Sequence, residues 1–284
     1  MPDESKGWSI SCDGAQANAQ GHVYVLEVLS DGENFASNVR LVEDIDAESD
    51  RIVYEVDEWL TALSLSDSGA IFLGDANGKI HTNESGTWKI EETGCDGAVT
   101  EVKSIADAGI YLTGSNGFVA RRQGQTWERF GPDTSDTLYS IDGCGVRDLH
   151  VVGEKGRAYH WNGQTWQALE TATNLDLHAV LALSPESVYI CGAKGIVLHG
   201  HRDQWQVLDG WDEDLYALAY YNGTLYLGAG GLGLLCLEDG NPTMLKDNIY
   251  SYGLIASGGY LCVSGDNEIV RYDGHEWAAR GYEL

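Results

Sequence analysis

The chain of 284 residues carries 44 acidic and 17 basic side chains, for a formal net charge of −27 at neutral pH. So acidic a protein cannot replace the counterions of a nucleic-acid backbone or adhere to an anionic bilayer, and neither is expected as a partner. Hydrophobic residues make up 43% and aromatic ones 10%, material enough for a packed core, which excludes a disordered chain.

The N-terminus, Met1-Pro2-Asp3-Glu4-Ser5-Lys6, lacks the basic start and apolar stretch of a signal peptide, so a cytoplasmic protein is expected. No apolar run approaches the ~20 residues of a membrane span. Residues 1–57 hold two strand candidates, 22–26 and 51–56. Between them Asp44, Asp46, Glu48 and Asp50, with Glu55 further on, imitate a calcium loop. Ser49 stands where that loop needs glycine and no helices flank it, so an acidic, solvated loop is expected.

From residue 58 the chain repeats. A glycine closes an apolar run at Gly74, Gly114, Gly153, Gly192, Gly228 and Gly265, at intervals of 40, 39, 39, 36 and 37. A second glycine follows in five of the six units, at Gly78, Gly117, Gly156, Gly195 and Gly231. A tryptophan comes next, at Trp88, Trp127, Trp166, Trp205 and Trp277. Each unit reads as four short strands. In residues 176–213 the apolar runs 177–183, 188–191, 196–199 and 205–208 are separated by Ser-Pro-Glu, a Gly-x-x-Gly turn and polar residues. No segment has a sustained helical period.

Four-stranded units of this length predict an all-β, single-domain β-propeller. Assigning residues 1–57 to a divergent first blade gives seven, divided near 1–57, 58–97, 98–136, 137–175, 176–213, 214–248 and 249–284. Six blades with an N-terminal extension is the alternative. The glycines are expected to turn hairpins, and each tryptophan to bury ~150–250 Å² between blades. The chain thus resembles the β-propeller superfamily, near its WD-repeat and Asp-box groups. There is no Trp-Asp dipeptide at the WD position, since Trp211-Asp212 lies elsewhere in its unit. Only Gly-x-Thr-Trp of the Asp box survives, at residues 124–127 and 163–166, with Ala120 and Arg122 where Ser and Asp belong. The resemblance therefore implies a fold and no catalytic residue.

Several patterns carry no chemistry in this frame. Residues 228–233 match Gly-x-Gly-x-x-Gly, but a strand-like run follows where a dinucleotide site needs a helix. His81, His160 and His199 each lie seven residues after an anchor glycine, which suggests a shared structural role near the end of the third strand. The six cysteines, Cys12, Cys95, Cys144, Cys191, Cys236 and Cys262, form no Cys-x-x-Cys pair and read as buried, reduced thiols. No metal spacing and no cofactor motif is found.

Loops joining the fourth strand to the next first strand share a propeller face with those joining strands two and three. Acids gather in that phase: Glu91, Glu92, Asp96, Asp133, Asp136, Asp176, Asp209, Asp212, Glu213 and Asp214, with Phe130 and Trp211 among them. This set is the expected partner-binding surface, with the aromatics as anchors. A second set, Lys103, Tyr139, His178, Tyr216 and Tyr252, precedes a small residue at the start of strand one and is expected at the channel mouth.

The expected function is a non-catalytic, protein-binding propeller, monomeric on its own, whose acidic face steers a basic protein partner onto it. Its narrowest form is an immunity or inhibitor protein that neutralises a basic, nuclease-like toxin by mimicking nucleic acid, a likeness of composition alone. Two alternatives stand beside it. One is a hydrolase or lyase at the channel, with His178, Lys103 and the tyrosines as acid–base groups. The other is an assembly factor or scaffold.

Overall fold

A computed structural model describes residues 7–47, 49–208 and 210–283. It holds 28 strands in seven antiparallel sheets of four strands, each sheet running in simple chain order. The sheets cover residues 9–56, 60–92, 99–129, 138–168, 177–207, 217–246 and 253–281, blades 1 to 7 below. Strands within a blade are lettered a to d. The a strands of successive blades touch all the way round, including blade 7 against blade 1, so they form the inner wall of a closed ring. The protein is a seven-bladed β-propeller. The six-bladed alternative fails because residues 9–56 make a complete blade.

Period-two alternation explains why the blades stack. Blade 5 consists of strands Leu177–Ser184, Ser187–Gly192, Val197–His201 and Gln204–Val207. Successive side chains point to opposite faces. One face carries Val180, Val188, Ile190 and Leu198, which pack on Val152 and Ala158 of blade 4. The other carries Ala179, Cys191 and Val197, which pack on Leu218, Leu225 and Leu227 of blade 6. A blade is thus apolar on both faces and cannot be stable without neighbours.

The tryptophans sit where the repeat puts them, at the outer seams. Indole N–H groups of Trp88, Trp127 and Trp166 donate back to the preceding blade or its exit, to Val53 O, Glu91 Oε2 and Phe130 O. Inner strands are stitched by side chains accepting backbone N–H groups of the next blade. Ser64 Oγ accepts from Ser104, Glu101 Oε2 from Ile141, Ser140 Oγ from Val180 and Asp142 Oδ2 from Ala182.

Among the described residues the ring closes without exchanging a strand between the first and last blades. Blades 1 and 7 are each built from one continuous segment and join by packing. Cys12, Ala15, Ala17, Val23, Val25, Val42 and Ile45 of blade 1 meet Cys262, Ile269 and Tyr282. Asp50, in the calcium-like segment, pairs with Arg40 at 2.9 Å and with Arg280 of blade 7. Glu48 of that segment lies outside the described residues.

One expectation needs correction. Only Cys12, Cys191, Cys236 and Cys262 are buried; Cys95 is half-buried and Cys144 exposed, at the a–b turn of blade 4, and all six are free thiols. Residues 228–233 form the b–c turn of blade 6, between Thr224–Gly228 and Leu234–Glu238, as expected of a hairpin rather than a nucleotide loop.

Candidate functional site

The channel mouth is built by a repeated irregularity. In blades 1, 2, 4 and 5 the a strand bulges by one residue, and the extra residues are Asp13, Thr61, Tyr139 and His178. In blade 3 the same shift falls on Thr100. Tyr216 and Tyr252 take the position in blades 6 and 7, just before Ala217 and Gly253. A bulge re-aims a side chain out of the pleat. Tyr139, His178, Tyr216 and Tyr252 consequently form a continuous aromatic arc, with ring centroids 6.0, 5.4 and 5.0 Å apart. The arc ends at a cavity of about 450 Å³ lined by Tyr252, Asp13, Thr61, Cys12 and Asp266.

Lys103 is not part of this arc, because Thr100 holds that register. Lys103 lies three residues further along, beside Asp142 of blade 4 at 3.5 Å. Burial works against its charge, but Asp142 and Glu101 outweigh burial and hold its pKa above the usual lysine value. A lysine base needs the opposite shift. His178 Nδ1–H donates to the Leu215 carbonyl at 2.8 Å and its ring stacks on Tyr216. These contacts fix the ring in place.

Four of the nine described acidic loop residues are committed to the fold. Glu91 receives Arg122 at 2.5 Å and the Trp127 indole at 3.0 Å. Asp136 is buried between Lys155 at 2.5 Å and Arg157 at 2.6 Å, whose hydrogen bonds hold its pKa below the usual carboxylate value. Asp176 and Asp214 accept the backbone N–H groups of Lys155 and Lys194, each at 2.8 Å. Those lysines have left-handed backbones, with φ of 56° and 53°, in the b–c turns. Glu92 pairs with Lys79 at 3.2 Å but stays exposed, and Asp96, Asp133, Asp212 and Glu213 are exposed. Asp209 lies outside the described residues. Phe130 and Trp211 are not exposed anchors. Phe130 packs with Trp161 and Trp166, and Trp211 lies against the blade 5–6 core.

The same face carries a site that the repeat did not single out. A cavity of about 450 Å³ opens between blades 1 and 2, lined by Trp8, Glu33, Asn34, Phe35, Asp57, Glu58, Trp59 and Asn77. Phe35 and Trp59 stack at 4.5 Å, and Trp8 and Trp59 are 47% and 42% exposed. Glu33, Asp57 and Glu58 are exposed around them. Aromatic faces rimmed by carboxylates are the chemistry that receives an ammonium or guanidinium group. The signal in the sequence was acid beside aromatic in consecutive loops, Glu33-Asn34-Phe35 and Asp57-Glu58-Trp59. It falls in the divergent blade, where no period exposed it.

The three in-phase histidines do not share a role. His81 is paired across the sheet with Leu73, whereas His160 faces His150 and His199 faces Tyr189. That difference in register turns His81 toward blade 1, where it bonds Tyr54 at 2.7 Å and Asp75 at 3.1 Å. His199 bonds Ser187 at 3.0 Å and stacks on Tyr189. His160 bonds Asp148 at 2.7 Å and stacks on His150. Asp148, His150 and His160 bring metal-ligating atoms within 4.8 Å of one another, although no ligand spacing was evident in the sequence. Burial, then His160, pushes the His150 pKa down to about 4.

The described residues therefore define a propeller with an aromatic cavity rimmed by carboxylates on one face. No protein-family model matches the chain, and no curated protein does. Solved structures match it throughout. The WD40 β-propeller domain of Doa1 is similar over 94% of this chain and 96% of its own, with 12% identity and a TM-score of 0.74. Sqt1 from Chaetomium thermophilum is similar over 99% of this chain and 86% of its own, with 14% identity and a TM-score of 0.68. These likenesses establish the fold. Among the described residues no helix is long and apolar enough to cross a membrane.

Proposed function

We propose that the chain is a protein-interaction propeller that binds a basic segment of a partner protein on the face of its d–a and b–c loops. The observation that carries this reading is the cavity of Trp8, Phe35 and Trp59 with Glu33, Asp57 and Glu58. A lysine or arginine of the partner would insert between the rings, and its charge would be met by the carboxylates. Asp96, Asp133, Asp212 and Glu213 supply a wider negative field on the same face. The WD40 likeness supports an interaction role by analogy of fold. The narrowest form is a stoichiometric inhibitor of a basic, nuclease-like protein, which would then compete with nucleic acid for its partner.

The test is a titration of the intact protein with nona-arginine, followed by tryptophan fluorescence. Saturable quenching that weakens with salt is expected, together with at least a ~5-fold loss of affinity in Trp59→Ala, about 1 kcal/mol of cation–π contact. Equal affinity of native protein and variant would refute the cavity as the binding site.

A further inference from the structure

On the opposite face of the ring, we propose that the seam between blades 4 and 5 holds a divalent first-row transition ion, Zn²⁺ fitting best, bound by Asp148, His150 and His160. Strand b of blade 4, Asp148–Gly153, places Asp148 and His150 two residues apart and so on one face. Strand c, Ala158–Trp161, places His160 directly across from His150 in the ladder. That face is the one turned to blade 5, since Val152 and Ala158 on it pack against Leu177 and Val180. The cluster therefore lies between two packed sheets, near the a–b turn, rather than on a loop.

Two features call for a ligand. His150 is 2% exposed, yet its Nδ1 has no hydrogen-bond partner among the described residues. Asp148 Oδ2 is likewise buried and without a partner. Unpaired buried groups of this kind are costly unless something takes their lone pairs. A tetrahedral zinc with nitrogen and oxygen donors at ~2.0–2.2 Å needs those donors roughly 3.3 Å apart. The three donors already lie within 4.8 Å of one another, so a small inward movement of side chains completes the geometry. The ion would replace the proton now shared by His160 Nε2 and Asp148 Oδ1 at 2.7 Å.

Two imidazoles select against calcium and magnesium, which take oxygen ligands. Asp148 and His160 retain some exposure, which gives the ion a path from solvent. The Cys144 thiol lies beside Asp148, within reach of a fourth vertex by a side-chain rotation. The equivalent positions of blade 5 are Ser187, Tyr189 and His199, which satisfy one another by a hydrogen bond and a stack. The ligand set is thus particular to blade 4 and is not a by-product of the repeat.

The test uses the full chain after removal of metal with a chelator, titrated calorimetrically with Zn²⁺ and optically with Co²⁺. A single ion per chain and a raised melting temperature are expected. The double variant Asp148→Asn/His160→Gln should weaken binding by at least ~10²-fold, while His199→Gln leaves it unchanged. Should the double variant fold poorly, the NMR spectrum of the Co²⁺-loaded native protein decides, with two histidine rings carrying paramagnetically shifted signals. No saturable uptake, uptake that survives the double substitution, or unshifted histidines would overturn the proposal.

Discussion

Asp75 shows how much one side chain does in this fold. At the end of strand b of blade 2 it accepts the backbone N–H groups of Asn77 at 2.9 Å and Lys79 at 2.7 Å with Oδ1. Its Oδ2 takes the Nε2 proton of buried His81 at 3.1 Å, which leaves His81 Nδ1 to accept the Tyr54 hydroxyl of blade 1 at 2.7 Å. Burial opposes the charge of Asp75, but the hydrogen bonds from His81, Lys79 and Asn77 win and hold its pKa below the usual carboxylate value. A depressed carboxyl stabilises the fold above its unfolded pKa, near ~3.9, and that contribution is lost as pH falls through the folded value. Asp75→Asn should therefore cost about 2 kcal/mol in urea unfolding at pH 7. The gap between native protein and variant should narrow below pH ~4. A pH-independent gap would mean that shape rather than charge matters here.

At the scale of the element, the b–c turn is the joint that holds blade to blade. Gly117, Gly156 and Gly195 have φ of 64°, 73° and 68°, a region that L side chains avoid. A Cβ at each would run into the carbonyl of Thr134, Thr173 or Trp211 in the adjoining d–a loop. Gly195→Ala should accordingly cost about 3 kcal/mol or more, through both backbone strain and displacement of that loop. A melting temperature equal to the native one would contradict the close approach. These glycines, the tryptophans and the four-strand units were legible because a repeat shows each feature several times. The channel mouth was only partly legible. Tyr139, His178, Tyr216 and Tyr252 form an arc, but the equivalent bulge residue of blade 3 is Thr100. There Glu101 follows the bulge in place of a small residue, so looking for a small residue passes over Thr100 and selects Lys103 wrongly. Nor could spacing separate acids that cap turns, such as Asp176 and Asp214, from acids left free, such as Asp212 and Glu213. That distinction depends on the backbone N–H groups of Lys155 and Lys194, some 20 residues away in sequence.

For the whole molecule, the ring closes through a backbone bond from Cys12 N–H to Asp266 O and through the side chains of Arg40, Asp50, Arg280 and Tyr282, so every blade is held on both sides. Rigidity matters for the proposed function, since a cavity made of loops keeps its shape only if the blades beneath it do. The net charge of −27 acts at longer range and would attract any polycation weakly. Binding localised at the cavity differs from a diffuse field in one respect, so the decisive comparison holds charge constant and changes only its place. Glu33→Gln/Asp57→Asn/Glu58→Gln removes three charges at the cavity, and Asp67→Asn/Asp203→Asn/Asp239→Asn removes three exposed charges from the opposite face. Nona-arginine affinity is measured for both at one ionic strength. A loss of ~10-fold or more is expected in the cavity variant, and under ~2-fold in the other. Equal losses in the two would show that the acidity acts only as a diffuse field, and would contradict the binding face assigned to this propeller.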